Sequence, residues 1–265
     1  MSVLSKSPIS LYRPKALQEI IFVGGAYFVY SQVRGMAGDR VVDAFGNGRR
    51  VVQLEQDLGI FQELALQGYI LSHNFLLDIF NLIYFYGFFP LLIPTAVWLF
   101  LRRPHVYVLA RNAFLLSGAI AVTLYLLVPT APPRLMDLGF VDTLGRSLTP
   151  SYSSLPGVNH YAAVPSMHVG WSFLTAMSLY LGLRGSPLRF LPFILPAAMF
   201  TATVVTGNHY FLDGALGICV ASCGLGLSLA IHRHGTRKGL LPPVDIPEPG
   251  TVVDSERVEV PVSVL

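Results

Sequence analysis

The chain has 265 residues, of which 53% are hydrophobic and only 12% charged, with a formal charge of +3 and a mean hydropathy of +0.57. Soluble domains carry about 25% charged residues, so this chain cannot clothe itself for water, and so small a charge argues against nucleic acid. Its apolar runs are continuous and of bilayer-crossing length, which excludes a membrane β-barrel of alternating strands.

Six spans are predicted in chain order at residues 17–33, 75–101, 108–128, 163–183, 188–205 and 210–231. The expected fold is an all-α integral membrane protein, a six-transmembrane-helix bundle. Lys6, Arg13 and Lys15 precede the first span, which runs past the length of a signal-peptide core and reads as uncleaved. Residues 51–70 read as an amphipathic interfacial helix between spans 1 and 2, with Glu55 and Glu63 either on its solvated face or as a pair that orders the loop. The second span contains Pro90 and Pro94 and is expected to kink. The aromatic run from Tyr84 to Phe89 reads as lipid-facing. Cys219 and Cys223, one turn apart inside the last span, read as inert core cysteines. Residues 1–238 form the membrane domain, and residues 239–265, rich in Pro, Val and Glu, read as a disordered cytoplasmic tail.

Basic residues set the orientation. Lys6, Arg13, Lys15, Arg102, Arg103, Arg111, Arg184, Arg189, Arg233, Arg237 and Lys238 all fall on one side, which the positive-inside rule makes the cytoplasm. Both termini are then cytoplasmic, in what is expected to be the plasma membrane.

Three polar clusters interrupt the apolar second half. One ends at Arg134, one runs from Asn159 to His168, and one from Thr206 to Asp213. The alternation of spans returns all three to the extracytoplasmic face, where ionisable groups at membrane depth are costly and mark a site. His209 and Asp213 are four apart, within reach on one helical face. A carboxylate accepting from one ring nitrogen fixes the tautomer and leaves the other nitrogen as a nucleophile. Pro165 suits the first turn of a helix whose free amides, around Ser166, Met167 and His168, would bind an anion. Arg134 offers a planar fork for phosphate oxygens, and His168 a general acid. His160, Tyr161 and Asn208 are candidates for a supporting shell. The inventory meets the needs of phosphoryl transfer: positioning, charge neutralisation, a nucleophile and an acid.

The run from Ala163 to His168, followed by His209 with Asp213, resembles the type 2 phosphatidic acid phosphatase superfamily of membrane enzymes. Pro133-Arg134, the stretch from Gly139 to Thr143, and Leu54-Glu55 with Leu58-Gly59-Ile60-Phe61 and Glu63 resemble its inositol phosphorylceramide synthase-like, or inositolphosphotransferase, branch. The resemblance implies a six-helix fold and a metal-independent, cofactor-free reaction through a phosphohistidine. It makes His209 the nucleophile, Asp213 its orienting partner, His168 the general acid and Ser166 a hydrogen-bond donor to the phosphate. Two positions depart from the phosphatase pattern: no lysine precedes Arg134 at the family's spacing, and Thr203 stands where an arginine is expected six residues before the nucleophile. A pocket poorer in cations favours the transferase branch.

The residues by themselves leave alternatives open. Residue types do not choose between a transferase and a polyprenyl or phospholipid phosphate phosphatase; the branch resemblance implies transfer of an inositol-phosphate-like headgroup to a lipid alcohol. His160, His168, His209 and Asp213 could also ligate zinc in a membrane hydrolase, or the groups could bind a headgroup in a non-catalytic transporter.

Overall fold

The structure is a computed structural model that describes residues 15–35, 40–145, 149 and 159–238. Arg146 and the tail at 239–265 lie outside the described residues. The described chain forms helices α1 (Ala16–Gly35), α2 (Val41–Asp57), α3 (Glu63–Leu71), α4 (Asn74–Tyr86), α5 (Phe89–Arg102), α6 (Pro104–Leu127), α7 (Met167–Gly182), α8 (Ile194–Val205) and α9 (Phe211–Arg237). Short 3₁₀ segments occupy Pro133–Leu135 and Pro187–Phe193.

Among the described residues, three segments are long and apolar enough to cross a bilayer: α6, the run Pro187–Val205 that ends in α8, and α9. The pair α4 and α5 makes a fourth if its 43° bend lies within one span. The chain is thus an all-helical membrane protein. The bend falls at Gly87 and Phe88, just ahead of Pro90, whose ring fits the first turn of a new helix. Helix α7 has 16 residues, ~24 Å of helix, because the chain before Met167 belongs to the site loop.

The amphipathic stretch is two helices, not one. α2 closes on Gly59, whose φ of +70° reverses the chain, and the amides of Ile60 and Phe61 return to the Glu55 carbonyl. That turn brings Glu55 and Glu63 together in the interior, both with 0% exposure, so neither lies on a solvated face. The periodicity was ambiguous because each carboxyl sits among polar neighbours that do face outward.

Helix α9 packs between α6 and α7 through small residues, which let membrane helices approach closely. A Cβ on Gly224 would lie 2.7 Å from the Ala113 carbonyl oxygen, and one on Gly217 would overlap the carbonyl of Ser166. Gly217, Val220, Ala221 and Gly224 take the inner face of α9, so Cys219 and Cys223 point outward. The cysteines are exposed and free, contrary to the core placement expected. Gly217→Ala should lower the thermal midpoint in detergent by the equivalent of about 1–3 kcal/mol, the usual cost of overpacking. An unchanged midpoint would show that α7 and α9 can part without penalty.

Candidate active site

The polar clusters meet at one end of the bundle. α6 ends there, α7 and α9 begin there, and α8 ends there, so two connections converge on one depth. Arg103 stands at the other end, where its Nε donates to the Gly182 carbonyl at 3.1 Å.

The connection from α8 to α9 carries His209. Gly207, with φ +69°, turns the chain, and a Cβ there would meet the Gln67 amide nitrogen at 2.7 Å. The amides of Asn208 and His209 both donate to the Thr203 carbonyl, at 3.0 and 3.1 Å. Thr203, at the position where the resembled pattern has an arginine, thus serves the turn through its backbone.

The His209 ring is 5.7 Å from the His168 ring, centroid to centroid. His209 Nδ1 lies 2.8 Å from the Ala163 carbonyl oxygen and 3.3 Å from Asp213 Oδ2. A carbonyl can only accept, so Nδ1 carries the proton and Nε2 keeps its lone pair. The expected orienting carboxylate is therefore the longer of two contacts, and a backbone carbonyl sets the tautomer. Asp213 Oδ2 also accepts the Tyr210 amide at 2.9 Å. Burial, with the charges of Arg34 and Arg134, holds the His209 imidazole down to about 3, so the ring is neutral at physiological pH.

Arg134 is tied to the same loop. Its amide donates to the Gly207 carbonyl at 2.8 Å, its Nε to Asn208 Oδ1 at 2.8 Å, and its Nη1 to Asp142 Oδ2 at 3.2 Å. Asn208 Nδ2 in turn donates to Thr206 Oγ1 at 2.8 Å. The stretch from Gly139 to Thr143 braces this arrangement from behind. Gln67 exchanges two hydrogen bonds with the Val141 backbone, and Asn81 holds Thr143.

Ser166 caps α7 rather than Pro165 opening it, and Pro165 precedes the cap. The Ser166 amide donates to the Asp213 carbonyl at 2.9 Å, so at most the His168 and Val169 amides of this turn can receive an anion. The Ser166 hydroxyl is buried and has no hydrogen-bond partner among the described residues. Burial lowers the His160 pKa, and Arg134 adds to that, which puts the ring beside the cluster. Tyr161 packs on Phe45 and gives its carbonyl to the Thr130 amide, away from the two histidines. Among the described residues no three His, Cys, Asp or Glu side chains are grouped as metal ligands.

A family model of the PAP2 superfamily matches residues 49–227.

The chain belongs to the PAP2 superfamily.

Membership points to phosphatase- or phosphotransferase-type activity on a lipid phosphate. No curated protein and no solved structure matches the chain. The matched stretch of this PAP2 protein takes in every site residue named above except Arg34.

Two site residues escaped the sequence reading. Arg34, at the end of α1, lies near enough for its charge to act on both His168 and His209, and its carbonyl accepts from Asn159 Nδ2 at 2.7 Å. It is far along the chain from every motif, so no spacing marked it. Tyr84 is 3% exposed, and its ring centroid stands 4.6 Å from that of His168. Phe88 is also buried, at 5%. The aromatic run is thus not wholly lipid-facing: Tyr84 and Phe88 turn inward, Tyr84 onto His168 and Phe88 onto Trp171. Residues four apart on that run were the available signal.

Proposed function

We propose that this PAP2 protein is a metal-independent lipid phosphotransferase that works through a phosphohistidine at His209. The carrying observation is the Nδ1–H of His209 held by the Ala163 carbonyl, which leaves Nε2 unprotonated beside His168. In the first step the Nε2 lone pair attacks phosphorus and the bond to the leaving oxygen breaks, while His168 gives that oxygen a proton. In the second step His168 takes the proton of an acceptor hydroxyl, whose oxygen attacks the phosphohistidine and releases His209. Arg134 and Arg34 neutralise the charge on the phosphoryl oxygens, with Ser166 as a hydroxyl donor. Asn208 holds the Arg134 fork in place.

Arg34 answers the cation deficit noted in the sequence, since α1 delivers from a distance the charge that Thr203 does not. The reading places six crossings in the bilayer, α1 and α7 included, with the site at the extracytoplasmic face and the termini in the cytoplasm. An apolar groove of about 1230 Å³, lined by Tyr27, Phe88, Phe89, Phe114 and Trp171, extends as far as Val33, next to Arg34, and suits a lipid's hydrocarbon tail. With the branch resemblance, it favours a lipid alcohol as acceptor and an inositol-phosphate-like headgroup as cargo.

The test is trapping. Purified protein in EDTA is mixed with phosphorus-labelled phosphatidylinositol, phosphatidic acid or farnesyl diphosphate and quenched in base. An acid-labile label on wild type, absent from His209→Gln, is expected. Adding diacylglycerol or ceramide should then move the label onto lipid; release only as phosphate assigns a phosphatase instead. Activity lost to EDTA and restored by zinc, or a label that survives His209→Gln, overturns the proposal.

A further inference from the structure

The α2–α3 hairpin reaches the nucleophile from the other side. Helix α9 begins two residues after His209, and its first two amides are capped by carboxyls from outside the helix. Phe211 N donates to Glu63 Oε1 at 3.0 Å and Leu212 N to Glu55 Oε1 at 2.8 Å. Both glutamates are fully buried, and the Oε2 of each finds no hydrogen-bond partner among the described residues, so only a proton between them could join the two. Together with Asp213 on the Tyr210 amide, carboxyls from three helices hold three consecutive backbone N–H groups at the start of α9. The glutamates bond to the Phe211 and Leu212 amides and not to either histidine, so the pair does not belong to the reacting set.

We propose that Glu55 and Glu63 are positioning residues that share a single proton and, in that singly charged form, lock the start of α9 so that His209 stays on the Ala163 carbonyl. The inference rests on His209 being the nucleophile, as argued above. The physical reason is the close approach of like charges. Two carboxylates in one dry pocket cannot both ionise cheaply, as in paired carboxyl sites generally. One charge is favourable there, because the positive end of the α9 dipole and two charge-assisted N–H bonds receive it. A second charge would repel the hairpin from α9, with Tyr210 and the Asp213 carboxyl also facing the pair. Burial and the Glu63 hydrogen bond push Glu55 up from the ordinary 4.5 to about 9. The sign follows. The folded protein holds a proton that the unfolded chain has released, so the support it gives declines as pH rises from 4.5 and is gone above about 9.

Two readouts test this, one independent of activity. The first is hydrogen exchange of the Phe211 and Leu212 amides, corrected for intrinsic rates, across pH 6 to 10.5. The second is the pH profile of kcat and KM with phosphatidic acid in detergent micelles. In wild type, protection should decline from pH 6 to about 9 and level off, while kcat falls through about pH 9 with KM little changed. Glu55→Gln, a neutral isostere that donates to Glu63 and accepts from Leu212, should keep kcat within about twofold and lose the alkaline limb. Glu55→Ala should lose protection and about 100-fold in kcat at pH 7, the scale of an ångström's misplacement. Glu55→Gln with the wild-type alkaline limb, or Glu55→Ala with full protection, overturns the proposal. If wild type turns over none of phosphatidylinositol, phosphatidic acid and farnesyl diphosphate while protection follows this order, the phosphoryl-transfer assignment falls and the proton-sharing lock stands.

Discussion

His209→Ala is expected to bring turnover to background, a loss of at least about 10⁴-fold, with the protein still folded and inserted. The loss should appear in kcat, because a covalent route is removed rather than a binding contact. Folding should survive, since the loop is built from backbone bonds that the side chain does not make. The Asn208 and His209 amides stay on the Thr203 carbonyl, and Tyr210 stays on Asp213. One structural cost remains: the Ala163 carbonyl, deprived of Nδ1–H, becomes a buried acceptor without its donor, worth about 1–3 kcal/mol. Measuring kcat and the thermal midpoint in the same detergent separates the two effects. Turnover within tenfold of wild type would remove His209 from the nucleophile role and, with it, the mechanism.

Arg134→Ala should cost about 10²–10³ in kcat, equivalent to 2.7–4 kcal/mol, if the guanidinium stabilises charge developing in the transition state. The side chain is 5% exposed, so its charge acts through a medium that screens it weakly. Arg134→Lys should recover part of the loss, since it restores the charge without the planar fork. The Arg134 amide keeps its bond to Gly207 in either variant, so the loop should hold its turn. Asn208→Ala, which frees Nε but leaves the guanidinium in place, should fall between wild type and Arg134→Ala. A change in expression alone, with kcat intact, would make Arg134 a structural anchor of the loop.

Both predictions draw on residues visible in the sequence, yet the arrangement differs from the simplest one. The four-residue spacing of His209 and Asp213 suggested a dyad. The structure makes Asp213 chiefly a cap for the Tyr210 amide, with Ala163 as the nearer partner of the imidazole. Ser166 shows the same thing from the other side. Its amide, expected to face an anion, holds the start of α7 to the start of α9 through the Asp213 carbonyl. In each case a backbone group took the partner that a side-chain reading had assigned elsewhere. Backbone carbonyls leave no trace in residue identity.

What the sequence determined by itself is local or compositional. The apolar runs placed the helices to within a few residues, because a bilayer demands length and low charge from each segment. Three polar clusters gave the candidate site, because ionisable groups at membrane depth are costly. The tertiary structure alone decided what depends on contacts between distant segments. Glu55 and Glu63 look like a solvated face until the turn at Gly59 folds them against α9, 148 or more residues away. Arg34 joins the histidines only because α1 ends at the depth where α7 begins, and Tyr84 because α4 bends towards α7. Hydropathy records how much a residue prefers lipid to water. It does not record which buried partner will satisfy a charge once water is gone, and at this site that partner comes from another segment of the chain or from the backbone.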